Sequence, residues 1–338
     1  MRIAVDLVGG ETPPLLLFEA VLKAATCFSF VHFVILITPP LKKQLLSLDF
    51  WQKNSSFFCE RFQFQVVDSI ISMQEAPLQA VKQKKGSSMM QGIYSLKEQE
   101  VDAFVTPGNT GALIAGSALL LPRIAPVKRP ALLATLPTKN GIASIIDVGG
   151  TTNCRALHLL QLMQMGLAFQ QIKKPGLITR VGLLNIGKEL QKGTAEIRKV
   201  YRYFQTHLAK FASVNFVGNI EGDRLFAGEV DLLITDGFSG NVLLKAAEGV
   251  FSLVQQTLSQ NLEFFTPCQK SKLLCSLAKR FDHEESPGAI VCGVKGVIVK
   301  CHGAAKAEAL FHSIATAIEL VEQQFIAKME HFVSFYQA

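Results

Sequence analysis

At 338 residues, 49% of them hydrophobic and 18% charged, the chain has the length and composition of one large α/β unit or of two intimate lobes. No apolar run approaches the length a membrane span needs, and Met1-Arg2-Ile3 enters a strand pattern directly, which predicts no signal peptide. Seven cysteines, an odd number with no C-x-x-C pair, point to reduced thiols in a cytosolic protein, and a net charge of +7 suits an acidic partner or a merely basic soluble protein.

In chain order, Ile3-Ala4-Val5-Asp6 is a short strand ending in an acid and Gly9-Gly10. With no third glycine before Pro13-Pro14, this is not a dinucleotide-binding fingerprint. Residues 15 to 27 read as a helix, His32 to Ile37 as a second strand, and Phe62 to Val67 as a half-exposed strand. Lys82 to Met90 is a basic run reaching Ser87-Ser88, a solvated face or an anion-contacting helix start. Arg123, Lys128 and Arg129 precede the apolar strand from Ala131, which leads to Thr138-Lys139. Ile145-Ile146 is a buried strand ending in Asp147, Gly149 and Gly150, and a helix follows from about Ala156 to Gln170. Val181 to Gly187 is a further strand, and Lys192-Gly193-Thr194 starts its helix. Strand, loop and helix repeat with few candidates for antiparallel hairpins, which predicts a mostly parallel, doubly wound sheet. From about Phe251 to Phe281 the chain reads as long amphipathic helix broken at Thr266-Pro267. The sheet resumes at Gly296-Val297-Ile298-Val299-Lys300, and a helix from about Ala304 to Met329 completes the fold. Low-complexity linkers are absent, so residues 1–338 read as a single α/β catalytic unit from which residues 251–285 protrude.

One stretch is written twice. Val101 to Leu113 and Val230 to Leu243 both give Val-Asp, an apolar triplet, Thr, one variable residue, then Gly-x-[Thr/Ser]-Gly. Each triplet suits a strand buried on both faces. Gly108, Gly111, Gly237 and Gly240 let backbone N–H groups turn toward one point. Thr110 and Ser239 are placed to cap the helices that follow. A helix start at the carboxyl end of a buried strand is an anion site, so both repeats are expected to be phosphate cradles.

The motifs in order are Ile3-Ala4-Val5-Asp6, Ser87-Ser88-Met89, Gly108-Asn109-Thr110-Gly111-Ala112-Leu113, Arg129-Pro130-Ala131 and Thr135-Leu136-Pro137-Thr138. Asp147-Val148-Gly149, the strand from Val181 to Gly187, Phe216 to Gly222, and Asp236 to Val242 follow. Together they resemble the bacterial phosphate acyltransferases of phospholipid synthesis, which transfer a fatty acyl group from acyl carrier protein to inorganic phosphate. The resemblance runs from Met1 to about Ala317. It implies an α/β/α sandwich related to isopropylmalate dehydrogenase and phosphotransacetylase. It also implies a cytosolic homodimer, peripheral to the membrane, that uses neither metal nor cofactor, binds no nucleic acid, and has a downstream membrane acyltransferase as a further partner. The family usually has Gly-Gly-Asp-His-Ala-Pro after its first strand, where this chain has Gly9-Gly10-Glu11-Thr12-Pro13-Pro14. The family's Gly-Ala-Asn-Val-Asp is here Gly149-Gly150-Thr151-Thr152-Asn153.

That chemistry needs no protein nucleophile. Phosphate attacks the thioester carbonyl and a thiolate with a pKa of about 8.5 leaves, so the protein must bind an anion, orient it and stabilise an oxyanion. By position within or against family motifs, Asn109, Lys192 and Asn241 are the expected catalytic side chains. Gly108, Thr110, Gly111, Lys139, Asp147, Gly149, Asp236, Gly237, Ser239, Gly240 and Lys245 are expected to bind phosphate or substrate. Acyl carrier proteins are acidic, so Arg123, Lys128 and Arg129 are candidates for a docking patch. Leu262, Phe264, Phe265, Leu273 and Leu274, with Lys270 and Lys272 between them, suit a helical hairpin tip that meets anionic lipid. Two alternatives remain at this stage: a metal-dependent decarboxylating dehydrogenase of related fold, and a non-catalytic scaffold for the carrier or the membrane.

Overall fold

The short apolar runs fold as strands and the longer amphipathic runs as helices in a computed structural model that describes residues 1–47, 60–261 and 288–336. The strands are β1 (Arg2–Asp6), β2 (His32–Ile37), β3 (Phe62–Val66), β4 (Ala103–Thr106), β5 (Ala131–Thr138) and β6 (Gly141–Ile146). After them come β7 (Thr179–Leu184), β8 (Val214–Ile220), β9 (Leu232–Ile234), β10 (Ala289–Cys292) and β11 (Val297–Lys300). The helices are α1 (Pro14–Cys27), α2 (Pro39–Leu46), α3 (Pro77–Gln83), α4 (Ser88–Lys97), α5 (Thr110–Leu120) and α6 (Ala156–Lys173). The rest are α7 (Ala195–His207), α8 (Gly222–Phe226), α9 (Gly237–Asn261), α10 (Ala307–Glu322) and α11 (Phe325–Phe335). They form two compact units, residues 1–130 with 287–336, and residues 131–286.

In the first unit the strand order is β3-β2-β1-β4-β11-β10. Every pair from β3 to β11 is parallel, and β10 runs antiparallel to β11. Ile3, Ala4 and Val5 of β1 and Ala103, Phe104 and Val105 of β4 are fully buried, which is why these strands show no polar alternation. Each buried Ile, Val or Phe among them stabilises the unit by about 1.5–3 kcal/mol. Helix α4 packs on α5, β1 and β4, while α10 packs on α1, β4 and β11. Parallel pairing sends the turns after Asp6, Thr106 and Lys300 out at one edge.

In the second unit the order is β5-β6-β9-β7-β8. Strands β6, β9, β7 and β8 are parallel, so each unit has the mostly parallel α/β character expected from the sequence. The exception is the hairpin of β5 and β6, where few hairpins were expected. Asn140-Gly141, with Gly141 at φ +129°, was its sequence signal. Helix α9 runs from Gly237 through Phe251 to Asn261, and the break expected at Thr266-Pro267 lies outside the described residues. The final helix is two, because Gln324 adopts φ 55° and breaks it. No described helix is long and apolar enough to cross a membrane. Leu262, Phe264, Phe265, Leu273 and Leu274 of the expected hairpin tip lie outside the described residues.

Candidate functional site

In the first unit, β1 ends at Asp6, whose buried carboxylate organises the turn that follows. Its Oδ1 accepts the backbone N–H groups of Val8 (3.1 Å) and Gly9 (2.9 Å), and its Oδ2 accepts the Thr106 hydroxyl (2.8 Å). Burial nevertheless pushes this carboxyl above its ordinary range, against the pull of those hydrogen bonds. Gly9 has no room for a side chain, because a Cβ would run into the Asp6 carboxylate and stand 3.2 Å from Gly108 Cα. The Gly108 N–H donates to Thr106 Oγ1 (3.0 Å), and the Pro107 carbonyl accepts from Lys300 Nζ (3.1 Å).

Helix α5 opens at that turn, capped by Asn109. The Asn109 Oδ1 accepts the Ala112 N–H (3.0 Å), and its Nδ2 donates to the carbonyls of Ser72 and Met73 (3.1 Å each). The backbone N–H groups of Asn109, Thr110 and Gly111 have no acceptor among the described residues. An uncharged cap thus leaves three donors at the positive end of the helix dipole.

The second copy of the motif folds differently. Asp236 accepts the Ser239 N–H at Oδ1 (2.7 Å) and the Ser239 hydroxyl at Oδ2 (3.1 Å). The Gly237 N–H donates to Thr151 O and the Gly240 N–H to Asp236 O. Helix α9 therefore starts at Gly237, where the aligned Gly108 lies outside α5. Asp236 can cap where Pro107 cannot, and Phe238 cannot cap where Asn109 does. Thr110 and Ser239, expected as caps, lie one and three residues too late. Gly240 stands against the backbone carbonyl of Asp147, where a Cβ has no space.

Asp147 closes its own loop. Its Oδ1 accepts from the N–H groups of Leu132 (3.0 Å), Gly149 (3.2 Å) and Gly150 (2.8 Å), and its Oδ2 from Thr151 (2.7 Å). Burial pushes this carboxyl up as well, opposed by the four donors. Helix α6 also begins at a carboxylate, since Glu196 Oε2 accepts the Ala156 N–H (2.7 Å). That bond, with Lys199, holds the Glu196 carboxyl below its ordinary range.

The fold gathers Gly108, Asn109, Thr110 and Gly111 at one turn, and Asp147, Gly149, Asp236, Gly237, Ser239 and Gly240 at another. Asn241 is exposed just beyond the second. Lys192 is exposed on the loop after β7, whose backbone is tied down by Asn185 Nδ2 bonding to Lys192 O (3.2 Å). Two lysines are not gathered. Lys245 lies two helical turns into α9 and pairs with Glu248 (2.6 Å). Lys139 sits at the tip of the β5–β6 hairpin, at the opposite end of β6 from Asp147, on the order of 20 Å away at about 3.3 Å per residue. An antiparallel β5 sends its carboxyl end to the wrong edge. Arg123, Lys128 and Arg129 are exposed on one loop, braced by Arg123 Nη1 bonding to Lys128 O (2.8 Å). Sequence reasoning missed Thr106 and Lys300. For Lys300 the signal was a lysine closing the otherwise apolar run Val297-Ile298-Val299.

Solved structures share this fold. A phosphotransacetylase from Streptococcus pyogenes superposes with a TM-score of 0.58 at 14% identity, over 95% of this chain and 94% of that one. A branched-chain phosphotransacylase from Enterococcus faecalis V583 gives 0.58 at 12% identity, over 95% and 99%. In sequence, a phosphate acyltransferase of Chlamydia caviae is 36% identical over 323 residues, covering 95% of both chains. One from Thermoanaerobacter pseudethanolicus is 36% identical, covering 96% of this chain and 95% of its own. The fatty acid synthesis protein family matches residues 1–328, and on that match and these relatives the chain belongs to this family.

Proposed function

We propose that the chain transfers a fatty acyl group from acyl carrier protein to inorganic phosphate, releasing acyl phosphate for glycerophospholipid synthesis. One observation carries the reading beyond family membership. Helix α5 starts at an uncharged amide, Asn109, with three N–H groups that have no acceptor among the described residues, whereas α6 and α9 start at the carboxylates of Glu196 and Asp236. A phosphate oxyanion is attracted to the first and repelled by the other two. Bound there, hydrogenphosphate attacks the thioester carbonyl carbon, the C–O bond forms, the C–S bond breaks, and the phosphate proton ends on the carrier's thiolate. In the second unit, Lys192 and Asn241 expose side chains that make no hydrogen bond or ion pair among the described residues, which suits donors to an oxyanion.

The carrier docks through Arg123, Lys128 and Arg129. The working form is a homodimer, a reading supported by Phe238, Val242, Val250, Leu253 and Val254, all exposed on α9 at helical spacing. The segment beyond Asn261 rests on anionic lipid. The deciding experiment incubates purified protein with acyl carrier protein bearing a long acyl chain and with phosphate, without metal or nucleotide. Acyl phosphate and free carrier in equal amounts are expected. Turnover that appears only with a nicotinamide and a divalent ion would favour the dehydrogenase, and no turnover the scaffold.

A further inference from the structure

Strand β11 closes with Lys300, which is 8% exposed. Burying an ammonium costs several kcal/mol unless its protons are taken up. The Lys300 Nζ donates to the carbonyl of Pro107 (3.1 Å) and to that of Cys301. Lys300 is also the register partner of Thr106 across the β4–β11 pair. The Pro107–Gly108 peptide is therefore held at both of its polar atoms. Its oxygen faces Lys300, and its N–H faces Thr106 Oγ1, which in turn donates to Asp6. A peptide held at both ends cannot flip, so the three N–H groups that follow it, without acceptors among the described residues, keep fixed directions. The ammonium also adds a full positive charge to a turn that already carries the positive end of α5.

We propose that Lys300 is the positioning residue that makes this turn a phosphate site: it locks the Pro107–Gly108 peptide and supplies the charge that draws the anion in. The ligand it serves is a phosphate dianion, the co-substrate in the reaction proposed above, and the inference rests on that reading. It assigns Lys300 no contact with the reacting carbonyl.

Lys300→Gln keeps an N–H donor for the Pro107 carbonyl and removes the charge, and Lys300→Arg keeps both. Inorganic phosphate binding is measured by calorimetry on wild type and both variants, alongside KM for phosphate and for the acyl donor. In Lys300→Gln, phosphate Kd and KM are expected to rise about tenfold or more, the loss of one charge-assisted interaction. The donor KM should stay within about twofold and Lys300→Arg should recover most of the loss. An unchanged phosphate Kd in Lys300→Gln overturns the proposal, as does a parallel rise in both KM values or an Arg variant no better than Gln. Should Lys300→Gln fail to fold, Thr106→Val, which releases the other end of the same peptide, must show the phosphate-specific loss. Normal phosphate binding in that variant also overturns the proposal. Wild type that binds phosphate but makes no acyl phosphate would sink the proposed reaction and leave the role of Lys300 standing.

Discussion

The amide of Asn109 donates to the Ser72 carbonyl at 3.1 Å, while its oxygen caps α5 through the Ala112 N–H. One side chain thus sets a helix start and ties it to a neighbouring loop. Asn109→Asp keeps the shape but turns the donor toward two carbonyls into an acceptor. It also gives α5 the negative cap that α9 has in Asp236. The variant should lose about 1–3 kcal/mol of stability in urea unfolding and show a raised phosphate KM in steady-state kinetics. A phosphate KM equal to wild type would remove the turn from the anion site.

Gly240 faces the Asp147 carbonyl, whereas Gly249, on the same helix, has open space around it. Gly240→Ala should cost about 1–3 kcal/mol through overpacking, with activity falling as the folded fraction falls. Gly249→Ala should stabilise by about 1 kcal/mol through helix propensity. Thermal melts of the two variants beside wild type check both signs.

Asp231 accepts two hydrogen bonds from the Arg180 guanidinium (3.0 and 2.8 Å) and one from the Arg180 N–H (2.9 Å). Burial alone would raise its carboxyl, but Arg180 prevails and holds it below the ordinary value of 3.8. A depressed pKa means stability that is present above the unfolded value and lost as pH falls through the folded one. Asp231→Asn should therefore melt below wild type at pH 7, with the difference shrinking as pH drops below about 4. A difference that persists unchanged to pH 3 would show that the interaction does not depend on charge.

Lys128 and Arg129 are exposed beside Arg123, which braces their loop. Lys128→Glu with Arg129→Glu leaves that brace in place and reverses the charge. The apparent KM for acyl carrier protein should rise and its salt dependence weaken, since rim charges act mainly on encounter. Kinetics across a salt series read both quantities, and no change in either would return these residues to an ordinary solvated surface.

Phe264→Asp with Phe265→Asp tests the proposed lipid contact. Liposome flotation should show lost binding to anionic vesicles, with the oligomer intact by light scattering and turnover in solution near normal. A fall to monomer or aggregate would place these residues at a subunit contact instead.

The sequence by itself determined the α/β class, the mostly parallel pairing and the family. Apolar triplets such as Ala103-Phe104-Val105 can be satisfied only by burial on both faces, and the order of motifs is a property of the chain alone. It also marked the turn from Gly108 to Gly111, because glycines between a strand and a helix are visible locally. Tertiary structure decided in which copy of the repeated motif the helix starts at an uncharged cap. That depends on where helix capping begins, and hence on whether an acceptor side chain such as Asp236 stands before the turn. It separated Lys139 from Asp147, because the edge a strand end reaches is set by pairing direction. It joined Lys300 to Pro107 across 193 positions of sequence, a contact created only when β11 inserts beside β4.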